Sequence, residues 1–134
     1  MPVLEVKGNS MQPTYKNGDI TVAFKTKKIN QGDIISFYYG NKILVKRVIA
    51  GSGDWVNIKE GIVYVNGEAL KESYVNDNKY DIGDIKYPYQ VPDGQWFVLS
   101  DNRVDTQDSR YVQIGCVKND DVVGKILFRL FSQN

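Results

Sequence analysis

Gly53-Asp54-Trp55-Val56-Asn57-Ile58-Lys59-Glu60-Gly61-Ile62-Val63-Tyr64-Val65-Asn66-Gly67 decides the fold class. A turn pair opens it, two short runs rich in β-branched and aromatic residues follow, and Asn66-Gly67 closes it. Asn-Gly is a strong hairpin signal, because both residues tolerate the positive φ that a tight two-residue loop demands. The stretch predicts strands at residues 55–58 and 62–65, the second turning back into Ala69-Leu70. The Gly-Asp pair recurs at Gly18-Asp19, Gly32-Asp33 and Gly83-Asp84, each followed closely by a β-branched or aromatic residue. All four pairs are expected to be turns that feed strands. Further strands are predicted at residues 4–7, 20–24, 34–38, 43–49, 96–99 and 122–131. No run at helical period has both a cap and a stop. The expected fold is mostly β, with antiparallel sheets forming a partly closed barrel or sandwich. Residues 73–89 lack a clean period and combine Asn76, Asp77, Asn78, Lys79, Asp81, Gly83 and Asp84 with four tyrosines. They are expected to form a surface excursion or small flap on a single domain spanning residues 1–134.

Composition narrows the function. The chain has 134 residues, 17 basic against 16 acidic, so no basic excess points to a nucleic-acid partner. Cys116 is the only cysteine, which excludes an intramolecular disulfide and leaves the compartment open. Between Gly115 and Val117 it reads as a small apolar residue, not a nucleophile. No apolar run is long enough to span a membrane, and no signal peptide is visible. There is no histidine. A Ser-His-Asp triad and a conventional zinc site are thereby excluded, and no cofactor or metal is expected.

Ser10-Met11-Gln12-Pro13-Thr14 is a candidate nucleophile segment. A serine hydroxyl needs an adjacent base to take its proton, and without histidine that base must be a lysine or a carboxylate. Pro13 fixes its own φ and restrains Gln12, holding the backbone beside Ser10 in a defined shape. The N–H of Ser10 or Met11 could then point at a developing oxyanion. A plain turn serine bonding its own backbone is the competing reading.

The base could come from Ile43-Leu44-Val45-Lys46-Arg47-Val48-Ile49. Strand alternation places Leu44, Lys46 and Val48 on one face and Ile43, Val45, Arg47 and Ile49 on the other. If the first face is inward, desolvation disfavours the Lys46 ammonium and tunes the amine toward general-base work. If the strand is half-exposed, the Lys46 stem merely covers apolar surface. Arg47 cannot serve as base, since guanidinium stays protonated.

A third cluster follows the apolar run at residues 96–99: Ser100-Asp101-Asn102-Arg103-Val104-Asp105-Thr106-Gln107-Asp108-Ser109-Arg110. Two Asp–Arg pairings are possible within it, and the Thr106 and Ser109 hydroxyls could orient an ammonium. Its carboxylates do not follow Ca²⁺-loop spacing.

Taken in order, these segments resemble the type I signal peptidases, membrane-bound serine proteases of the Ser-Lys kind. Gly8-Asn9-Ser10-Met11-Gln12-Pro13-Thr14 resembles the nucleophile box, and Lys46-Arg47-Val48-Ile49 with Gly53-Asp54 the lysine box. Residues 100–110 resemble the C-terminal box, usually written G-D-N-R-x-x-S-x-D-S-R. Gly32-Asp33-Ile34 and Val63-Tyr64-Val65-Asn66-Gly67 also fit, so the similarity covers nearly the whole chain. It implies the core fold shared by signal peptidases and self-cleaving repressor proteases. It implies that Ser10 attacks the carbonyl at the cleavage site of a secretory preprotein, with its own N–H in the oxyanion hole, and that neutral Lys46 is the base. Thr106 takes the position of a serine that hydrogen-bonds the lysine amine. Asp108 and Arg110, with Asp101 and Arg103, would hold that loop and the lysine in place. Substrate would lie extended beside Leu4 and Val6 as an added strand. Small residues at the first and third positions before the cut would fill shallow pockets walled by Leu4, Val6, Met11 and Val45, with Gly8 also in contact. The resemblance further implies contact with a membrane surface, and action at the extracytoplasmic face of a bacterial membrane for the full-length protein, this chain being a soluble piece of it.

Gly8 stands where some members carry an oxyanion-hole serine, Ser100 replaces the first glycine of the C-terminal box, and Thr106 replaces a serine. Two other readings compete. A self-cleaving repressor-type protease would need an internal small-residue site, for which Ala50-Gly51 is the candidate. A catalytically impaired homologue would act as a pilus-assembly or chaperone-like binding module.

Overall fold

A computed structural model describes residues 3–77 and 79–132. Eleven strands run in the order β1 (Val3–Glu5), β2 (Ile20–Phe24), β3 (Ile34–Tyr39), β4 (Lys42–Ala50), β5 (Trp55–Lys59), β6 (Ile62–Val65), β7 (Glu68–Ala69), β8 (Tyr89–Gln90), β9 (Gln95–Leu99), β10 (Val117–Lys118) and β11 (Val122–Phe131). A single turn of 3₁₀ helix at Asn119–Asp121 precedes β11, and no α-helix occurs among the described residues. The strands form a seven-stranded sheet ordered β1-β2-β11-β3-β4-β9-β10 and a four-stranded sheet ordered β7-β6-β5-β8, all neighbours antiparallel. The barrel is open, as the sequence pattern predicts.

The predicted strands fall on observed ones with small boundary shifts. The first begins at Val3 and its regular ladder stops at Glu5, because Val6 leaves the register to exchange bonds with Asp19 O and Gly18 N. β8 and β10 escape the sequence pattern because two residues are too few to display alternation. The Asn66-Gly67 turn forms with φ of 52° and 84° and joins β6 to β7.

Three of the four Gly-Asp turns are built alike. The carboxylates of Asp19, Asp33 and Asp54 accept the backbone N–H of Lys16, Asn30 and Gly51 at 2.8, 2.8 and 2.9 Å. Each aspartate returns its own N–H to the carbonyl of the same residue, closing the turn from both sides. The fourth departs from expectation. Asp84 donates its N–H to Arg110 O at 3.0 Å, and a Cβ on Gly83 would sit 2.0 Å from that oxygen. Gly83-Asp84 is therefore a docking point between residues 73–89 and the C-terminal box, not the entry to a strand.

Three apolar clusters fill the molecule. Ile35, Phe37, Val48, Val98, Val117 and Val122 pack on one face of the large sheet. Val6, Met11, Tyr15, Ala23, Ile34 and Ile126 pack on the other, with Leu4 and Val45 against them. The third joins the sheets, mixing Ile49, Phe97 and Leu99 with Val56, Ile58, Val63 and Val65. Tyr80, Ile85, Tyr87 and Tyr89 pack against this third cluster, so residues 73–89 turn their aromatic side inward instead of standing off as a flap.

Candidate active site

β1 is an edge strand, and three strands separate it from β4 in the same sheet. Residues from both nevertheless line one cleft: Leu4 to Met11 from the N-terminal side, Ile43 to Lys46 from β4, and Asp105 and Gln107 from the loop after β9. The sheet must curl strongly to bring them together, and the opening left between β1 and β4 is the cleft. Ser10 and Lys46 share it, as do all five apolar or small residues expected to contact substrate, Leu4, Val6, Gly8, Met11 and Val45. Val6 and Met11 are buried and form its floor, whereas Leu4 and Val45 are half-buried at its walls.

Lys46 resolves the choice left open by its strand. It is 2 % exposed, so its alternating face is the inward one. It lies opposite Ile35 on β3, with Leu44 and Val48 along its own face. Burial among these groups holds the amine below the ordinary lysine range, against the pull of the Asp105 and Asp108 carboxylates. Its Nζ donates to Asp105 Oδ2 at 3.3 Å. Among the described residues no hydrogen bond joins it to Ser10 Oγ.

The lysine partner departs from expectation. Thr106 is exposed and lines a different hollow, with Tyr39, Lys42 and Tyr111, and makes no side-chain hydrogen bond among the described residues. The amine instead meets the residue before it in sequence. The physical reason is the fold of the loop. Asp105 Oδ2 accepts the Gln107 N–H at 3.1 Å, a tight Asx turn that faces Asp105 inward and Thr106 to solvent.

The charged pairs of the C-terminal box also differ from pairing within the box. Asp101 forms a bidentate pair with Arg47, at 2.8 Å from Nε and 2.7 Å from Nη2, and accepts Thr14 Oγ1 at 2.5 Å. One carboxylate thus ties the loop carrying Ser10 to the residue beside Lys46. Arg47 also donates to Gly32 O at 3.0 Å and lies 3.7 Å over the ring of Tyr74. Arg103 is buried and pairs with Glu72, while its Nε donates to Ser100 O at 2.7 Å and Nη1 to Tyr80 OH at 3.0 Å. Asp108 and Arg110 do pair with each other, bidentate at 2.9 Å on both arms, and both are 0 % exposed. Arg110 also gathers the carbonyls of Asp81, Arg103 and Asp105. Asp108 accepts the Ser100 N–H at 2.9 Å. The loop is consequently held from several sides by buried charge-assisted bonds, which are about twice as strong as neutral ones.

Residues that sequence reasoning left outside the site also contribute. Asn102 donates its backbone N–H to Ser10 O at 2.9 Å and its Nδ2 to Asn9 O at 3.1 Å. Its place in the C-terminal box was a usable signal. Glu72 and Tyr74 gave none, since they lie outside every box. The Ser10 N–H makes no hydrogen bond to protein among the described residues. Gly8 has φ of 78° and open space where a side chain would stand. Cys116 is half-buried beside Tyr89, and burial pushes its thiol up to about 11, which suits packing and not nucleophilic attack. No helix among the described residues is long and apolar enough to cross a membrane.

This geometry has counterparts in known proteins. A family model described as signal peptidase, peptidase S26, matches residues 1–131. Signal peptidase IB of Staphylococcus aureus (strain COL) is 37% identical over 146 residues, spanning 94% of this chain and 75% of that protein. Signal peptidase I of Bacillus caldolyticus is 36% identical over 140 residues, spanning 92% and 76%. The crystal structure of a signal peptidase I from Enterococcus faecalis V583 superimposes with a TM-score of 0.65 at 32% identity, over 75% of this chain and 97% of that one. The chain belongs to the signal peptidase, peptidase S26, family.

Proposed function

We propose that this chain is a Ser-Lys endopeptidase that removes signal peptides from secreted preproteins, and that residues 1–134 form one catalytic domain. One observation carries the reading: a buried lysine, desolvated by its strand neighbours, opens into the same cleft as Ser10. Lys46 in its neutral form takes the proton of Ser10 Oγ as that oxygen attacks the scissile carbonyl. The Ser10 N–H stabilises the oxyanion. Collapse breaks the C–N bond, and the proton passes from Lys46 to the leaving amine. Water, deprotonated by the same lysine, then attacks the acyl-enzyme, and the departing Ser10 oxygen regains a proton.

The free edge of β1 supports an extended substrate paired beside Leu4 and Val6, where backbone bonds give affinity and alternate side chains give specificity. Leu4 and Val45 over a floor of Val6 and Met11 leave shallow apolar walls that suit small residues at the first and third positions before the cut. Asp101, Arg103, Asp108 and Arg110 serve as the frame that keeps Ser10 and Lys46 in register. Val3, Phe24, Phe128, Leu130 and Phe131 are exposed on β1, β2 and β11, beside the cleft strand. This apolar strip supports contact with a membrane surface, which on the proposed function is the extracytoplasmic one. Ala50, the residue a self-cleaving repressor type would cut after, is buried in β4 and paired with Phe97, which argues against that alternative.

The test is cleavage of a peptide with an Ala-x-Ala signal site, with detergent present, by the wild type, Ser10→Ala and Lys46→Ala. Cutting after the second alanine, lost in both variants, is the expected result. No cutting by the folded wild type would favour an impaired homologue acting as a binding module.

A further inference from the structure

Ser100 and Asp105 occupy a glycine position and an open position of the C-terminal box, so neither was expected to share a task. The structure joins them. Asp105 Oδ2 accepts Ser100 Oγ at 2.7 Å, the Gln107 N–H at 3.1 Å and Lys46 Nζ at 3.3 Å. Its backbone carbonyl is held by Arg110 Nη2, whose guanidinium is locked in the buried pair with Asp108. Both ends of the residue are therefore fixed before the lysine arrives.

The other charges around Lys46 are engaged elsewhere. Asp108 is committed to Arg110 and the Ser100 N–H, and Asp101 to Arg47 and Thr14. Glu5 faces Lys7 at the exposed rim, 3.6 Å away. Across the ladder, β3 offers only Ile35. We propose that Asp105, pinned by Ser100, is the positioning residue for Lys46, filling the place expected of the hydroxyl at position 106. The inference rests on the reading of Lys46 as the base for Ser10. On that reading the carboxylate fixes where Nζ waits in the cleft and favours its charged form, while the apolar face opposes that charge. Removing the charge but keeping the shape, as in Asp105→Asn, leaves desolvation less opposed, so the amine titrates at lower pH. An opposite charge this close moves a titration by about one pH unit or more.

The experiment uses the whole chain. The Lys46 side-chain carbon resonance, identified by its loss in Lys46→Arg, is titrated by NMR in Ser10→Ala with and without Asp105→Asn. The pH dependence of kcat/KM is measured in parallel for the wild type, Asp105→Asn and Ser100→Ala. The expected result is a Lys46 midpoint about one pH unit lower in Asp105→Asn, with the acid limb of kcat/KM following it. Ser100→Ala keeps the charge but frees the carboxylate, so kcat on the alkaline plateau falls severalfold with a smaller midpoint change. A folded Ser10→Ala/Asp105→Asn protein whose Lys46 midpoint stays at the Ser10→Ala value overturns the proposal. A midpoint that moves while the acid limb does not shows that Lys46 is not the base, which sinks the Ser-Lys reading while the pairing itself stands. A Ser100→Ala protein indistinguishable from wild type in both readouts overturns the pinning role of Ser100.

Discussion

Asn102 holds Ser10 from behind: its backbone N–H donates to Ser10 O at 2.9 Å, and its side-chain amide reaches Asn9 O at 3.1 Å. The loop carrying Ser10 makes few such bonds of its own, with Gln12 N donating to Asn9 O and Tyr15 N to Met11 O. Its orientation toward Lys46 is therefore set by the C-terminal box. Asn102→Ala keeps the backbone bond and loses the other. Because that amide is exposed, the stability loss should be only about 1 kcal/mol. A slight misplacement of a nucleophile can cost up to ~10² in rate, so kcat should fall tenfold or more. Denaturant unfolding and steady-state kinetics on the same variant check the split, and equal small losses in both would remove Asn102 from the positioning frame.

With Lys46 as the proposed base, its titration sets the pH dependence. Burial holds its amine below the ordinary lysine range, and only the neutral form accepts the Ser10 proton. Activity should therefore rise from neutral to alkaline pH as Lys46 loses its proton. The same sign applies to stability. A lysine whose pKa is lower folded than unfolded binds fewer protons in the folded state, so stability should rise with pH between those two values. Lys46→Met, which cannot titrate, should lose that rise along with activity. A kcat/KM profile that is flat between about pH 6 and 9 would refute a lysine base.

Asp101 joins the loop carrying Ser10 to β4: its carboxylate binds Thr14 and Arg47, and its backbone N–H reaches Met11 Sδ at 3.5 Å. Removing it strands the Arg47 guanidinium, which is largely buried and cannot shed its charge. Breaking one partner of a buried pair costs about 3–5 kcal/mol. Asp101→Ala should accordingly be destabilised by about 3 kcal/mol in chemical denaturation, far more than Asn102→Ala. The double variant Asp101→Ala/Arg47→Met should recover part of the loss, because the orphaned charge is gone. No recovery would mean that the lost bond to Thr14, not the ion pair, dominates the cost.

What could be read from the chain follows the range of the interactions. The strand at residues 43–49 and the two faces it offers are set by neighbours two positions apart, so the placement of Lys46 beside apolar groups was legible; whether that face was buried depended on β3 and β9. The partners within the C-terminal box were not legible. Asp101 lies two residues from Arg103 yet chooses Arg47, and Arg103 chooses Glu72, because the curl of the large sheet decides which charges meet. Asp105 and Thr106 were exchanged for a similar reason: a one-residue difference in a loop reverses inward and outward. The tyrosines of residues 73–89 misled by composition. Tyr80 buries much of its ring against the third cluster while its hydroxyl bonds Gly61 O and Arg103, so a segment that looks solvated is half core.

Gly83 links that segment to the site. Its φ of 89° suits glycine, and a Cβ there would meet Arg110 O at 2.0 Å, closer than any atoms can approach. Arg110 cannot yield easily, since its side chain is locked to Asp108 and holds the Asp81, Arg103 and Asp105 carbonyls. Gly83→Ala must then displace either residues 81–85 or the loop that carries Asp105. Backbone strain together with a forced contact should cost more than about 2 kcal/mol. The informative readout is activity under conditions where the variant remains folded. If the loop moves, Asp105 moves with it and kcat falls, although residue 83 does not line the cleft. If residues 81–85 peel away instead, stability drops while kcat per folded molecule is retained. The buried pair of Arg110 with Asp108 makes the loop the stiffer partner, so loss of stability with retained kcat is the expected outcome, and a fall in kcat at full folding would show that the frame around Lys46 is softer than its hydrogen bonds imply.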